Sequence, residues 1–195
     1  MSKNRIIQSA LSLISKKEIW NVSASEIASQ AETSKANVFY HFNSLENLYS
    51  RMFDDFQAEI KDEIWNELND NWNTERKLEH LFMKRGRWAL NNSEKMRFLI
   101  MWYSINGLLS KSIEDKNLWR IISKGIQSKT LIRYGTTHIS CLFYSHSNSI
   151  AITLIDQPHY IKKKITMLRK SFEAFFETVK QPEKEKKFNQ NSNIS

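Results

Sequence analysis

His138, Cys141 and His146 are the residues whose types could bind a metal ion, and their spacing argues against it. His138 and Cys141 stand one helical turn apart. His146 lies eight residues beyond the first, on a face that has drifted away, with no second cysteine pair or carboxylate cluster nearby. The catalytic patterns are missing as well: there is no glycine-rich phosphate loop, no Gly-x-Ser-x-Gly elbow and no metal-protease motif. A metal, a cofactor and an enzymatic activity are therefore not expected, and a cofactor-free helical enzyme is kept only as a rival class. Aromatic side chains are the other concentration of chemistry: Phe82, Trp88, Phe98, Trp102, Tyr103, Trp119, Phe143 and Tyr144. Apolar and hydrogen-bonding rings together suit an apolar or aromatic small molecule, although core packing explains each ring taken singly.

The elements that position these residues are helices. The chain has 195 residues with only 4 glycines and 2 prolines, too few breakers for a turn-rich β-fold. Cys141 is the one cysteine, so no intrachain disulfide forms, which suits a reducing compartment. The first residues lack a signal-like apolar stretch, and no run of about 18 apolar residues occurs, so a cytoplasmic protein is expected. The net charge of +8 favours an anionic partner but does not locate it. Residues 1–47 are nearly balanced, with five basic and four acidic side chains, and the excess lies beyond residue 110.

Ile7, Ala10, Leu11 and Ile14 make one face of a first helix. Ser23-Ala24-Ser25-Glu26 reads as a capping box that starts a second, which buries Ala24, Ile27, Ala28 and Ala31. A turn at Glu32-Thr33 leads to a short third helix through Tyr40, and Ser44 caps a long fourth, predicted to reach Asn69. Five more follow, the eighth over Thr136 to Leu154 and the ninth over Tyr160 to about Lys180. Lys129 to Gly135 has no clear state, and the polar residues 181–195 are expected to be a disordered tail. Three short helices with a tight turn between the second and third have the geometry that places one helix in a major groove.

The residues from Ala24 to Leu48 resemble the N-terminal signature of the TetR family of bacterial regulators. The matches are Ile27-Ala28, Ala31, Ser34, Ala36, Val38-Phe39, His41-Phe42, Ser44, Glu46 and Leu48, in unbroken register. The departures are Glu18 and Glu32 where the family has turn glycines, Phe39 where it has tyrosine, and Leu45 where it has lysine. Glu32 implies either a turn that no longer needs positive φ or a strained one. The resemblance implies an all-α protein with a helix-turn-helix DNA-binding domain over residues 1–47 and a helical effector-binding and dimerisation domain over 48–180. It makes Ser34 to Tyr40 the recognition helix. Lys35 would donate to guanine, Asn37 would pair bidentately with adenine, and Tyr40 would pack on a sugar or thymine methyl. His41, Ser23 and Ser25 would approach phosphates, and Lys3 and Arg5 would do so from a flexible arm, while Ser34, which with Thr33 is a candidate cap of the third helix, is counted among the DNA-binding residues. Val38 and Phe39 are expected in the core. A small-molecule pocket is implied among the fifth to eighth helices, with Trp102, Tyr103 and His138 as its candidates. The implied function is repression from a palindromic operator, relieved by an effector. The alternative is a protein of this fold that has lost DNA binding and serves as an interaction module.

Assembly has its own pattern. Ile161, Ile165, Leu168, Phe172, Phe175 and Val179 alternate in steps of four and three, a heptad seam of nearly three repeats. Leu142 and Ile150 lie on the eighth helix. In the family the last two long helices of each subunit form a four-helix interface, so these residues are expected at a homodimer contact. The competing reading places the ninth helix's seam inside its own subunit.

Overall fold

The computed structural model describes residues 3–107, 115–157 and 163–182. Among these residues the chain forms nine α-helices and no strand. They are α1 (Lys3–Ile14), α2 (Ala24–Gln30), α3 (Lys35–Phe42), α4 (Leu45–Trp65), α5 (Thr74–Asn91), α6 (Ser93–Asn106), α7 (Lys116–Gln127), α8 (Thr136–Asp156) and α9 (Lys164–Val179). A single 3₁₀ turn, Ile19–Asn21, links α1 to α2. Ile161 and the predicted tail from residue 183 onward lie outside the described residues. No described helix is long and apolar enough to cross a membrane.

The chain folds as two compact units. The first comprises Met1–Asp62 with Asn91–Ser110, so α6 joins the first three helices and most of α4. Ile6, Ala10 and Ile14 of α1, Ile27 of α2, Val38 of α3 and Leu48 and Met52 of α4 are buried in its core. Each fully buried Ile, Val, Leu or Met side chain among them contributes about 1.5–3 kcal/mol. Phe98 of α6 meets Phe56 edge-on at 5.6 Å, and Trp102 stacks on Phe53 at 5.6 Å. The Tyr49 hydroxyl is buried with them, and loss of hydration pushes its pKa up to about 12.

The second unit comprises Glu63–Leu90 and Lys111–Ser195. Its core is aromatic: Phe82 of α5 meets Phe143 of α8 and Phe172 of α9, each at 5.7 Å, and Phe143 meets Phe175 at 5.6 Å. These edge-to-face contacts add about 0.5–1.5 kcal/mol each to simple burial. Gly125 sits inside α7 because a Cβ there would lie 2.6 Å from Thr74 Cγ2 and 2.7 Å from Leu131 Cδ1. The segment without a clear sequence signal becomes an irregular connection with one β-bridge, Leu131 to Lys180. Ile132 N–H donates to Val179 O and Gln181 N–H to Thr130 O, each at 2.9 Å, pinning it to the end of α9. Helix α4 stops at Trp65, four residues before its predicted end. Glu67 there takes a left-handed φ of +66°, which a continuing helix cannot contain.

Candidate nucleic-acid interface

The start of α2 is built by the capping box that the sequence shows. Ser23 Oγ accepts from the Glu26 N–H at 3.3 Å, and Glu26 Oε2 accepts from the Ser23 N–H at 2.9 Å and from its hydroxyl at 2.8 Å. The Ser23 hydroxyl is thus engaged within the cap, whereas Ser25, two residues on, is exposed. Lys17 Nζ donates to Glu26 at 2.5 Å. That bond and the Ser23 N–H hold the Glu26 carboxyl down at about 2, against an ordinary 4.5. With the folded value below the unfolded one, the carboxylate stabilises the fold above the ordinary value, and this contribution is lost as pH falls toward about 2. Glu26→Gln is therefore expected to lower the melting temperature at neutral pH. Its gap from the parent chain should narrow between about pH 5 and pH 3. A gap that stays constant on acidification refutes this role for the carboxylate.

Helix α2 ends in a tight left-handed close. Thr33 N–H donates to Ala28 O at 2.8 Å and Glu32 N–H to Ser29 O at 3.1 Å, which satisfies carbonyls left over at the helix end. Glu32 adopts φ +52°. Of the two alternatives for a turn without its glycine, the chain takes the strained one, at a cost of roughly 1–2 kcal/mol for an L-residue. The Glu32 side chain pairs with Arg5, which lies on α1. This corrects the expectation of a flexible arm, since residues 3 and 5 belong to a regular helix whose Arg5 is committed to the turn.

Helix α3 begins at Ser34, whose Oγ accepts from the Asn37 N–H at 3.1 Å. Lys35 follows, exposed, with its ammonium 5.8 Å from the centroid of the Phe39 ring. Asn37 is half-buried, and its amide donates to Thr33 Oγ1 at 2.8 Å, which fixes the amide's direction. Tyr40 is 81% exposed, a large ring left uncovered at the end of the helix. His41 is half-buried, edge-on to Tyr40 at 5.3 Å and to Phe42 at 6.3 Å. Val38 and Phe42 point inward, 1% and 6% exposed. Phe39, expected in the core with Val38, is only half-buried and carries Lys35 across its face. A left-handed Asn43, φ +62°, then ends α3, and Ser44 caps α4 by accepting from Asn47 N–H at 3.0 Å. Leu45 begins α4 and is half-buried. The structure thus brings Ser34, Lys35, Asn37 and Tyr40 together along one short helix behind a tight turn. Such a unit can place side chains against base edges in a major groove.

The ligand candidates fall differently. Trp102 and Tyr103 belong to the first unit, where Tyr103 meets Phe53 edge-on at 5.9 Å and its hydroxyl accepts from the Gln57 amide. His138 belongs to the second unit, exposed, with its ring 5.4 Å from that of Tyr134. A cleft of about 620 Å³ opens in the second unit, walled by Trp65 and Trp72 with Lys77, Arg120 and Lys124 around it. None of the three candidates is among its lining residues. These cleft residues share no motif or spacing in the sequence. Arg85, 2% exposed, is the other unexpected residue, and the spacing of Leu81, Phe82, Arg85 and Ala89 puts it on the inward face of α5.

The candidates for the subunit contact are divided. Leu168, Phe172 and Phe175 are at most 4% exposed within the second unit's own core, where Phe172 and Phe175 surround Phe82. Ile165 is 44% exposed, and Leu142 and Ile150 are half-buried, Ile150 against the cluster of Met83, Leu154 and Leu168.

The class of molecule is therefore an all-helical protein with an N-terminal helix-turn-helix and a second helical unit. Residues 6–52 match the model for bacterial regulatory proteins of the tetR family. No curated protein matches the chain in sequence. Solved structures match its fold across most of its length. A TetR family transcription regulator from Marinobacter aquaeolei VT8 has a TM-score of 0.74 at 12% identity, covering 92% of this chain and 96% of its own. The fatty acid degradation regulator FadR from Bacillus halodurans has 0.71 at 14% identity, covering 89% and 94%. NalD, the secondary repressor of the MexAB-OprM multidrug efflux pump in Pseudomonas aeruginosa, has 0.69 at 13%, covering 91% and 96%. The likeness to the tetR family is thus one of sequence over residues 6–52, and over the rest of the chain one of fold.

Proposed function

We propose that the protein is a transcriptional regulator acting in the cytoplasm, not an enzyme. In this reading it represses from a palindromic operator and is released by a small-molecule effector. The observation that carries the proposal is α3, with Lys35 and Tyr40 exposed beside an oriented Asn37 amide, inside the segment that matches the tetR family model. A repressor among the proteins of like fold supports the direction of control. Residues 1–47 would serve DNA and residues 48–180 effector binding and assembly. In vitro selection on random duplexes, followed by mobility shift, tests this. A palindromic consensus is expected, and a chain that retains no duplex at low salt would instead be an interaction module.

Phosphate contact sets affinity. Leu45 stands at the first turn of α4, where a lysine would face the DNA backbone. Leu45→Lys in both subunits is expected to tighten binding at low salt and to steepen the salt dependence by roughly 2. The gain should be uniform across sequences, because backbone contacts carry no base information. An unchanged slope means that position 45 does not face DNA.

The same proposal includes a homodimer, because a palindrome needs two recognition helices about 34 Å apart. Its support is α8, which carries no Lys, Arg, Asp or Glu from Thr136 to Ile155 in a chain that is 26% charged. The side of α8 away from the core holds His138, Ser145 and Ser149, exposed, and Cys141, Leu142 and Ile152, half-buried. Leu142 and Ile165 would meet the second subunit there, whereas Ile150 packs inward against Met83, Leu154 and Leu168. Ser149→Arg, on that outer side, is expected to weaken dimerisation by about 2 kcal/mol without lowering the melting temperature of the protomer. Sedimentation at micromolar concentration reads the change, and a parent chain that is itself monomeric refutes the dimer.

A further inference from the structure

Arg85 of α5 is 2% exposed, and among the described residues no carboxylate lies within ion-pair distance of it. One of its terminal nitrogens donates to Asn148 Oδ1 at 2.8 Å, and its guanidinium carbon lies 5.0 Å from the centroid of the Tyr144 ring. Its Nε–H is buried with no hydrogen-bond partner. Asn148 and Tyr144 stand four residues apart on α8, and Ser140 stands four before them on the same face. Ser140 is 0% exposed, and its hydroxyl also lacks a partner. The inward face of α8 thus buries Ser140, Tyr144, Ser147 and Asn148, of which Tyr144 and Asn148 meet a guanidinium with no counter-ion among the described residues.

This arrangement is costly for folding alone. A buried cation is normally matched by an anion, and a neutral amide with a ring face replaces only part of the lost hydration. Apolar side chains of similar size commonly do as well or better where a buried charge serves structure only. A planar guanidinium is the group best shaped to receive a carboxylate, and here its Nε–H is left over to donate. The surroundings add the second requirement. Phe82 and Phe143 flank these residues in sequence and are fully buried, so an anion entering here must bring apolar surface of its own.

We propose that Arg85 is the recognition point for the carboxylate of a small organic acid bound within the second unit, with Ser140 as a further donor along α8. The inference deepens the effector reading above by naming the ligand's chemical class. Binding is measured without DNA, so that the two ideas fail separately.

The test uses the full chain, its Arg85→Met and Arg85→Lys variants, and thermal denaturation. The probes are 1-naphthoate and decanoate, their uncharged mates 1-naphthamide and decan-1-ol, and sodium chloride. Without additive, Arg85→Met is expected to melt at or above the parent temperature. At millimolar concentration one or both carboxylates should raise the parent's melting temperature by several degrees, and their uncharged mates should not. Arg85→Met should lose that rise, and Arg85→Lys should retain part of it. A lower melting temperature for Arg85→Met, restored by Arg85→Lys, makes the arginine structural and overturns the proposal. So does a rise of equal size in parent and Arg85→Met, which sends the anion elsewhere, the Lys77–Arg120–Lys124 cleft being the alternative. Chloride matching the carboxylates, or no carboxylate acting at all, overturns it too. A carboxylate that binds through Arg85 yet leaves the mobility shift unchanged keeps the site and removes the effector role.

Discussion

Asn37→Ala is expected to weaken binding to the selected palindromic duplex by about 1–3 kcal/mol per half-site, and by roughly twice that for a dimer. Bidentate pairing with adenine needs one amide oxygen that accepts and one N–H that donates. The bond to Thr33 uses the other N–H and fixes the amide plane, so the two groups that adenine requires stay available and oriented. Alanine removes both. The loss should concentrate at one base pair of each half-site, seen as relaxed specificity in a second round of selection. The salt dependence should stay as it was, because an amide neutralises no phosphate. Lys35→Ala separates the two roles of its neighbour. If the ammonium meets a phosphate, the slope falls by about 1 per subunit; if it meets guanine, specificity falls instead. Fluorescence anisotropy across a salt series reads both. Should Asn37→Ala and Lys35→Ala each bind as tightly as the parent, α3 is not the reading helix.

The parts of this interface that were legible in the sequence are those decided by neighbours along the chain. Ser23 and Glu26 are three residues apart, and their mutual bonds follow from helix geometry alone. The caps at Ser34 and Ser44 are likewise local. Glu32 was legible only as a question. The close of α2 imposes a positive φ whatever residue occupies it, because the carbonyls at the helix end need the bonds that this conformation brings. Phe39 stays half-buried because α3 is only 8 residues long and covered on one narrow side, which helical spacing beside Val38 does not reveal. The grouping of α6 with α1 depends on tertiary packing that no periodicity encodes. Arg85 was hidden for another reason. In Lys84-Arg85-Gly86-Arg87 it reads as one of three surface charges, and only its register with Leu81, Phe82 and Ala89 turns it inward. Gly86, beside it, lets Leu168 approach to where a Cβ would stand, 2.6 Å from Cδ2, so α9 presses close on this turn of α5.

The heptad seam of α9 supplies the largest expected effect on folding. One periodic stripe, read from sequence, suits an intersubunit contact and an internal one equally, because both bury the same face. The structure divides it. Phe172 is 4% exposed, 5.7 Å from Phe82 and stacked at 5.8 Å on Phe176, whereas Ile165, two turns earlier, is 44% exposed. Phe172→Ala is therefore expected to cost about 3–5 kcal/mol, lowering the melting temperature by on the order of 10 °C for a chain of this size. Phe172→Glu adds an unpaired carboxylate among rings and should abolish cooperative unfolding of the second unit. Near-ultraviolet dichroism, which follows the packing of these rings, should collapse while the first unit's helices persist. Ile165→Glu is the contrast: it creates no cavity and buries no charge within the protomer, so its melting temperature should shift by less than about 0.5 kcal/mol warrants. Any change it makes should appear in sedimentation as weaker association. If Phe172→Glu instead gives a fully folded monomer, the phenylalanine lies between subunits, and the internal packing of α9 described above is wrong.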